Sequence, residues 1–360
     1  VTVLEGLPDA VFALSPPLAG AALPDEPRSS CASCAMAPER VPAGRPAFAA
    51  AARCCTYHPD LTNVSVGRAL RRGGAGAAKV LARLADPEGV GPYGVRAPSS
   101  WRAAYAERPA QAFGNDAALT CPYWQAGPAG CTIHLDRDAV CRTWFCRLSE
   151  GERGAAAWRA LRRWLTALED LLAAAVVDAP SDAPAPDAGA DAWAAWYVAC
   201  ADRADALEPA RLAALRRPGV VSREEAFAAA RNGLGRPLPA VVAPSLRSWH
   251  PEGAGWVMAG WSAYDLTETP GWIFRFLAKL DGRTPWRDAA AATAAEVGEP
   301  VEEGFVTLLW QRGLLSEPTD LDVQPGVTVR VTGLPELPAG ERWAIEGAGG
   351  VTAGTWSGRG

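Results

Sequence analysis

Eight of the chain's nine cysteines fall between residues 31 and 146, at positions 31, 34, 54, 55, 121, 131, 141 and 146. Whatever this stretch folds into must find a place for eight thiols. The ninth, Cys200, stands apart: Trp193, Trp196, Tyr197, Ala204 and Leu207 surround it at helical spacing, and it reads as a small apolar residue on a helix face. Three fates are open to the eight. Thiolates are strong, soft ligands, and a CxxC pair such as Cys31/Cys34 lets two sulfurs reach one ion from a tight turn. A disulfide framework instead needs an oxidising compartment. Inert buried thiols would want apolar neighbours, whereas Thr, Arg, His and Asp flank several of these. Metal ligation accounts best for the density, so Cys31, Cys34, Cys54, Cys55, Cys121, Cys131, Cys141 and Cys146 are the candidate ligands.

Their spacing carries a structural demand. Cys121, Cys131 and Cys141 lie ten residues apart, which scatters them around any single helix, so loops must fold inward to bring them together. The surrounding 31–150 segment has few long apolar runs with which to hold such loops. A structural metal supplies about 10–16 kcal/mol in small zinc peptides, against roughly 2–4 kcal/mol for a disulfide. The expectation is that a metal helps to fold this region.

The stretch CPYWQAGPAGCTIHLDRDAVCRTWFC (121–146) resembles the YkgJ-type cysteine-cluster family, described as a zinc- or iron-chelating domain. That family runs CxxCxxCC, then CP(F/Y)L, a C-x-I-(Y/H) step, an acidic or Arg residue, and C-R-x-x-x-C. Here Cys121-Pro122-Tyr123, Cys131-Thr132-Ile133-His134, Arg137, Cys141-Arg142 and Cys146 follow it. Upstream, Cys31/Cys34 and Cys54/Cys55 supply CxxC and CC, but residues 35–53 separate them where the family has a far shorter gap. The flagellin lysine N-methylase group shares a similar cysteine pattern more distantly. The resemblance covers about a third of the chain and implies metal binding, as an iron–sulfur cluster or zinc in one or two sites. Within a single four-cysteine centre, either Cys121, Cys131, Cys141 and Cys146, or the CC pair mixed with the later group, could serve.

His58 and His134 stand near the cysteines, and imidazole suits either metal, so each is a further candidate ligand or a packed loop residue. Arg137 and Arg142 flank thiols and could offset their charge, or be solvated arginines. His250, beside Trp249, reads as structural. Tyr57, Asp60, Asp136 and Asp138 suggest no paired acid–base arrangement. Nothing resembles a P-loop, an HExxH helix or a Ser–His–Asp order, so no catalytic nucleophile can be named beyond the thiols.

The formal net charge of −5 argues against general nucleic-acid binding. Two lysines against 33 arginines, with abundant alanine, reflect base composition more than chemistry. The longest apolar run, Leu171 to Val177, is far short of the roughly 20 residues of a membrane span. The opening residues lack the basic start of a signal peptide and are broken by Pro16 and Pro17. A cytoplasmic address is expected.

Composition divides the chain into an irregular segment (1–30), a loop-rich cysteine domain (31–150), a helical region (151–245), a compact module (246–318) and a Gly-rich tail (319–360) with one strand-like run, Val327–Val331. The Gly-rich Arg72–Ala78 stretch falls within the cysteine domain. In the helical region Trp158, Leu161, Leu165, Leu168 and Leu172 form an amphipathic stripe, a Pro/Asp-rich linker (178–191) interrupts it, and Ser222 with Glu225 suggests a capping box. In 246–318, strand-like runs at Trp256–Met258 and Trp261–Leu266 precede helices expected over Pro270–Leu280, from Thr284, and over Pro300–Gln311. This winged-helix-like plan, with FLAKLDGRTPWRDAAAATAAEVGEPVEEGFVTLLWQRGLL (276–315), resembles PqqD-like peptide-recognition domains and implies a peptide or protein partner. DNA is disfavoured, because Arg275 to Gly313 holds five basic and six acidic side chains. The fold class expected is mostly α with short β. The function expected is metal binding by an accessory or interaction protein. The alternative is an iron–sulfur-dependent peptide- or protein-modifying enzyme, oxidoreductase or methyltransferase-like, with a C-terminal peptide-binding module.

Overall fold

The computed structural model describes residues 3–318 except 22, 24, 25, 27–33, 43, 110, 111 and 127–129, together with 330–332, 342–347 and 350–355. Cys31 and residues 327–329 of the expected tail strand therefore lie outside the described residues. The chain is mostly α with short β, and it divides into two compact units: Val1–Phe145 with Ala156–Asn232, and Cys146–Ala155 with Gly233–Gly360. Among the described residues no helix is long and apolar enough to cross a membrane.

The first unit is built on helices that the apolar stripe dictates. Trp158, Leu161, Trp164, Leu165, Leu168 and Leu172 are all buried along the Gly151–Ala175 helix. Full burial of such side chains contributes about 1.5–3 kcal/mol each. The Ala190–Asp205 helix buries Trp193, Trp196, Tyr197 and Cys200. It lies against the Asn63–Arg72 helix, in which Val64, Val66 and Ala69 are buried. Thr62 opens that helix by accepting the Ser65 N–H at 3.3 Å.

Several expectations are corrected. The opening segment is not irregular throughout: Asp9–Leu14 and Pro16–Ala19 are helical, with Val11, Leu14 and Leu18 buried at i, i+3, i+7. Among the described residues the 31–150 segment holds four α-helices, Asn63–Arg72, Gly74–Leu84, Ser99–Glu107 and the one-turn Ala139–Arg142. The Gly-rich stretch is the corner between two of them, where Gly73 and Gly74 take φ of 74° and 67°, a region only glycine enters without strain. Ser222 does not cap a helix. Pro218 already starts the Pro218–Asn232 helix, and the Ser222 hydroxyl donates back to the Gly219 carbonyl at 3.2 Å.

The second unit has a three-stranded antiparallel sheet, Ser248–Glu252, Gly255–Ala259 and Leu266–Pro270, with the middle strand in the centre. The expected run at 261–266 is therefore mostly turn, because Asp265 is spent as a hub. Its carboxylate accepts from Leu148 N–H at 3.1 Å, Trp261 Nε1 at 2.8 Å and Arg312 at 2.8 Å. Pro270 ends a strand rather than opening a helix, and only Ile273–Leu277 is helical there. Trp286–Val297 and Glu303–Gln311 complete three helices. The core between sheet and helices joins Trp256 and Met258 to Ile273, Phe276, Leu309 and Trp310. In the tail, Arg330–Thr332, Arg342–Gly347 and Gly350–Thr355 pair as an antiparallel sheet, which glycine content alone had hidden.

Close backbone approach gives a test of the helix pair. A Cβ on Gly67 would sit 2.0 Å from the Tyr197 carbonyl oxygen and 2.9 Å from Ala201 Cβ. Gly67→Ala is expected to cost about 1–3 kcal/mol or more, read as a lowered Tm. Gly304→Ala, on a helix with nothing within 4 Å, should instead be neutral or gain about 0.5–1 kcal/mol.

Candidate metal centre

The cysteine loops are knitted together by backbone hydrogen bonds rather than by regular secondary structure. Cys34 opens a turn closed by Ala37 N–H on its carbonyl at 3.1 Å, and Phe48 N–H then donates to Met36 at 2.7 Å. Met36 and Phe48 are both fully buried. Ala49 N–H reaches the Gly114 carbonyl at 2.9 Å and the Asn115 side chain at 3.0 Å. Arg53, with φ of 54°, is the only non-glycine residue of positive φ among the described residues, and it aims the Cys54–Cys55 pair that follows. Such a conformation persists only where its surroundings enforce it. Here its N–H bonds Ala49 at 2.8 Å, and Cys55 N–H bonds Ala52 at 3.1 Å.

Two further bonds bring the later cysteines onto this loop. Cys121 N–H donates to the Cys55 carbonyl at 2.7 Å, and Trp124 Nε1 donates to Ala51 at 2.5 Å. Trp124–Gln125 then pairs with Gly130–Cys131, so Cys131 lies directly opposite Trp124. The segment beyond is pressed against the Gly74–Leu84 helix, where a Cβ on Gly76 would meet the Thr132 carbonyl at 2.6 Å. Cys141 sits in the one-turn helix Ala139–Arg142, capped by Asp138, whose carboxylate accepts Cys141 N–H at 2.9 Å.

The thiols consequently feel one another. Cys55 is held protonated chiefly by donating its proton to Cys54, then by burial, and the Cys54, Cys121 and Cys131 thiols add to this. Cys54 is lowered as the acceptor of that bond, helped by the Arg137 guanidinium. Burial pushes Cys121 up to about 12, partly opposed by the Tyr123 and Trp124 amides that point at its sulfur. Burial also raises Cys141 well above its ordinary value, with Asp138, Cys121 and Cys131 adding to it. Cys34 is raised by burial and sees Cys54. The sites of Cys55, Cys121, Cys131 and Cys141 are thus neighbours. Among the described residues, no group of three or more His, Cys, Asp or Glu side chains is arranged to hold a metal ion as the side chains stand. Cys146 is half-buried and belongs to the second unit, and Cys200 is buried in its helix, its thiol pushed up to about 11 by burial.

The polar neighbours take roles that the sequence left open. His58 donates from Nδ1 to Pro59 at 2.9 Å, and its Nε2 accepts from Arg83 Nε at 3.3 Å. Both of its nitrogens are committed. His134 Nε2 faces Arg137 at 3.2 Å, and burial, then Arg137 and Arg142, lower its pKa to about 4. Arg137 donates to the His134 and Cys141 carbonyls at 2.8 and 3.4 Å, and its charge favours the Cys54 thiolate. Arg142 does not face a thiol in this way. It is a buried clamp that donates to the carbonyls of Val3, Glu5, Leu135 and Arg137 at 2.5–3.3 Å. Asp136, buried, takes a bidentate bond from Arg72 at 2.9 and 3.0 Å. Tyr57, His58, Trp101, Tyr105 and Tyr123 form an aromatic wall beside the cysteine loops. His250 is exposed on its strand in the second unit.

Glu169 was not singled out from the sequence. Its signal was a carboxylate on the apolar face, four residues after Leu165 and three before Leu172. It is buried, and its Oε2 accepts Ala139 N–H at 3.1 Å, supporting the turn that carries Cys141.

Comparison with protein-family models, curated proteins and solved structures returns no match.

Burial, and then the neighbouring Asp138, push the Glu169 carboxyl up to about 8. The folded state therefore holds this proton more tightly than the unfolded state, and stability is lost as pH rises from the unfolded value toward the folded one. Chemical denaturation at pH 6 and pH 8.5 should show wild type losing about 2 kcal/mol more than Glu169→Gln. Equal losses would place the proton elsewhere.

Proposed function

We propose that this chain is a cytoplasmic metal-binding protein of the cysteine-cluster kind, holding zinc or an iron–sulfur centre and serving as an accessory or interaction protein. The observation that supports this reading is the convergence of cysteine-bearing loops through the Cys121 N–H on the Cys55 carbonyl and the pairing of Cys131 with Trp124, with the side chains as they stand forming no metal-holding group among the described residues. Thiols crowded near the Asp138 carboxylate, with Cys121 buried and Cys55, Cys131 and Cys141 half-buried, can themselves take on only negative charge. A cation resolves that conflict, and sulfur is the donor both zinc and iron–sulfur centres prefer. The chemistry of the neighbouring groups is compatible with thiolate ligation. Backbone N–H groups at the Cys121 sulfur stabilise its thiolate form, and the Arg137 guanidinium beside Cys54 offsets excess charge. When bound, the metal would cross-link loops that backbone hydrogen bonds and the buried Met36, Phe48 and Trp124 already tie together. The resemblance of 121–146 to the YkgJ-type family points the same way.

Anaerobic purification with metal analysis and a visible spectrum tests this. Zinc in a colourless protein, or iron with broad thiolate charge-transfer absorption, is expected. Cys131→Ser and Cys141→Ser should lower metal content and solubility, while Cys200→Ser should do neither. Wild-type protein free of both metals would end the reading.

One feature of the second unit favours the enzyme alternative, in which a modification centre acts on a bound peptide. A groove of about 770 Å³ is lined by Trp256, Glu268, Trp272, Arg275, Glu296 and Glu299. Its aromatic and mainly acidic lining suits a basic peptide, in keeping with the PqqD-like resemblance. Tryptophan fluorescence of the full chain should then shift on titration with arginine-containing peptides and not with glutamate-containing ones. An unchanged spectrum in both titrations would remove support for this alternative.

A further inference from the structure

We infer that residues 3–6 form a movable strap over a small polar cavity, and that the strap decides whether the one-turn helix carrying Cys141 is held or released. The inference is independent of what the thiols bind, since it stands on hydrogen bonds and not on ligation.

Two guanidinium groups hold the strap. Arg142 donates to the Val3 and Glu5 carbonyls at 3.3 and 2.7 Å, and Arg68 donates to the Gly6 carbonyl at 3.5 Å. None of the strap residues is itself buried: Val3, Leu4 and Gly6 are half-buried and Glu5 is exposed. Burial begins at Leu7, and Pro8 then fixes the entry to the Asp9–Leu14 helix, where Val11 and Leu14 are buried. The strap therefore ends on a firm anchor. Its tightest point is Gly6, with φ of 79°, where a Cβ would lie 2.3 Å from the Leu135 carbonyl oxygen. That carbonyl is itself an acceptor for Arg142, at 2.5 Å.

Arg142 couples strap to thiol because it closes the Ala139–Arg142 turn, directly after Cys141. The other end of that turn is held by Glu169 Oε2, which accepts Ala139 N–H at 3.1 Å. Gly6, Ser65, Arg68, Asp136, Arg142 and Glu169 line a cavity of about 10 Å³ beneath the strap, all of them in the first unit. That volume suits roughly one water molecule. Closing the cavity has a cost. Glu169 Oε1 and Arg68 Nε are buried with no hydrogen-bond partner among the described residues. Lifting the strap admits water to both, which offsets part of the loss of the strap's own bonds. The closed position is therefore favoured by a narrow margin. Whatever draws the strap away takes two of the four carbonyls that Arg142 gathers, and the turn carrying Cys141 loosens.

Amide hydrogen exchange on the full-length protein tests this. In wild type the Leu7 amide, bonded to Leu4 at 3.2 Å, and the Ala139 and Arg142 amides should exchange through one common opening, faster than the amides of Leu165–Leu172. Gly6→Ala should raise exchange in the turn by about tenfold or more, the equilibrium change that one hydrogen bond to a charged group is worth. Exchange in the Ala190–Asp205 helix should stay as it is. Gly189→Ala is the control: that glycine also has a positive φ, 85°, but a Cβ there meets nothing within 4 Å, so the turn should keep its wild-type rate. Should Gly6→Ala fail to fold, the wild-type measurement decides alone. Separate openings for strap and turn in wild type, or a folded Gly6→Ala with unchanged exchange in the turn, would overturn the inference. Neither outcome bears on metal content, which remains the test of the metal-binding reading.

Discussion

The hydrogen bond from the Cys121 amide to the Cys55 carbonyl, 2.7 Å long, joins two segments that are far apart in the chain and lack regular structure of their own. The cysteine loops are ordered by a small set of such bonds. Phe48 to Met36, Ala49 to Gly114, Gly114 to the Thr56 hydroxyl and Trp124 Nε1 to Ala51 each tie one loop to the next. Each is worth only about 0.5–1.5 kcal/mol net, but leaving such groups buried and unpaired would cost more. The loops are therefore held by the need to satisfy backbone polar groups as much as by side-chain packing.

The helices around these loops form a frame of conventional kind. The Gly151–Ala175 helix presents one apolar stripe, and its exception, Glu169, reaches the Ala139 amide. The Gly74–Leu84 helix comes so close to the Cys131–Ile133 segment that only glycine fits at position 76. Arg83 and Arg142 work as multi-pronged clamps. Arg83 spans the carbonyls of Asp86, Glu88 and Arg96 as well as His58, and Arg142 gathers four carbonyls. Guanidinium suits this task because its donors are fixed in one plane and never lose their charge.

What the sequence made legible follows from the range of the physics involved. The stripe from Trp158 to Leu172 and the face from Trp193 to Ala204 are local periodicities, and both are helices whose apolar sides are buried. The adjacency of Cys55, Cys121, Cys131 and Cys141 was legible only as a demand of spacing. The bonds that meet it are backbone-to-backbone and carry no residue signature. The opening helices were missed because Val11, Leu14 and Leu18 are too few to show a period among prolines. At Ser222 a local capping signal lost to Pro218, which starts the helix one turn earlier. The roles of Arg142 and His58 were illegible, since an arginine beside a cysteine looks the same whether it faces sulfur or turns to four carbonyls.

The engagement of both imidazoles by guanidinium groups has a consequence for selectivity. On the metal-binding reading an incoming ion would meet mainly sulfur, and a sulfur-rich environment ranks ions by softness rather than by size or preferred geometry. Cuprous and cadmium ions would compete with zinc or ferrous iron on favourable terms. Which ion the chain carries would then be decided by the cell's supply of free ions more than by the protein's own discrimination.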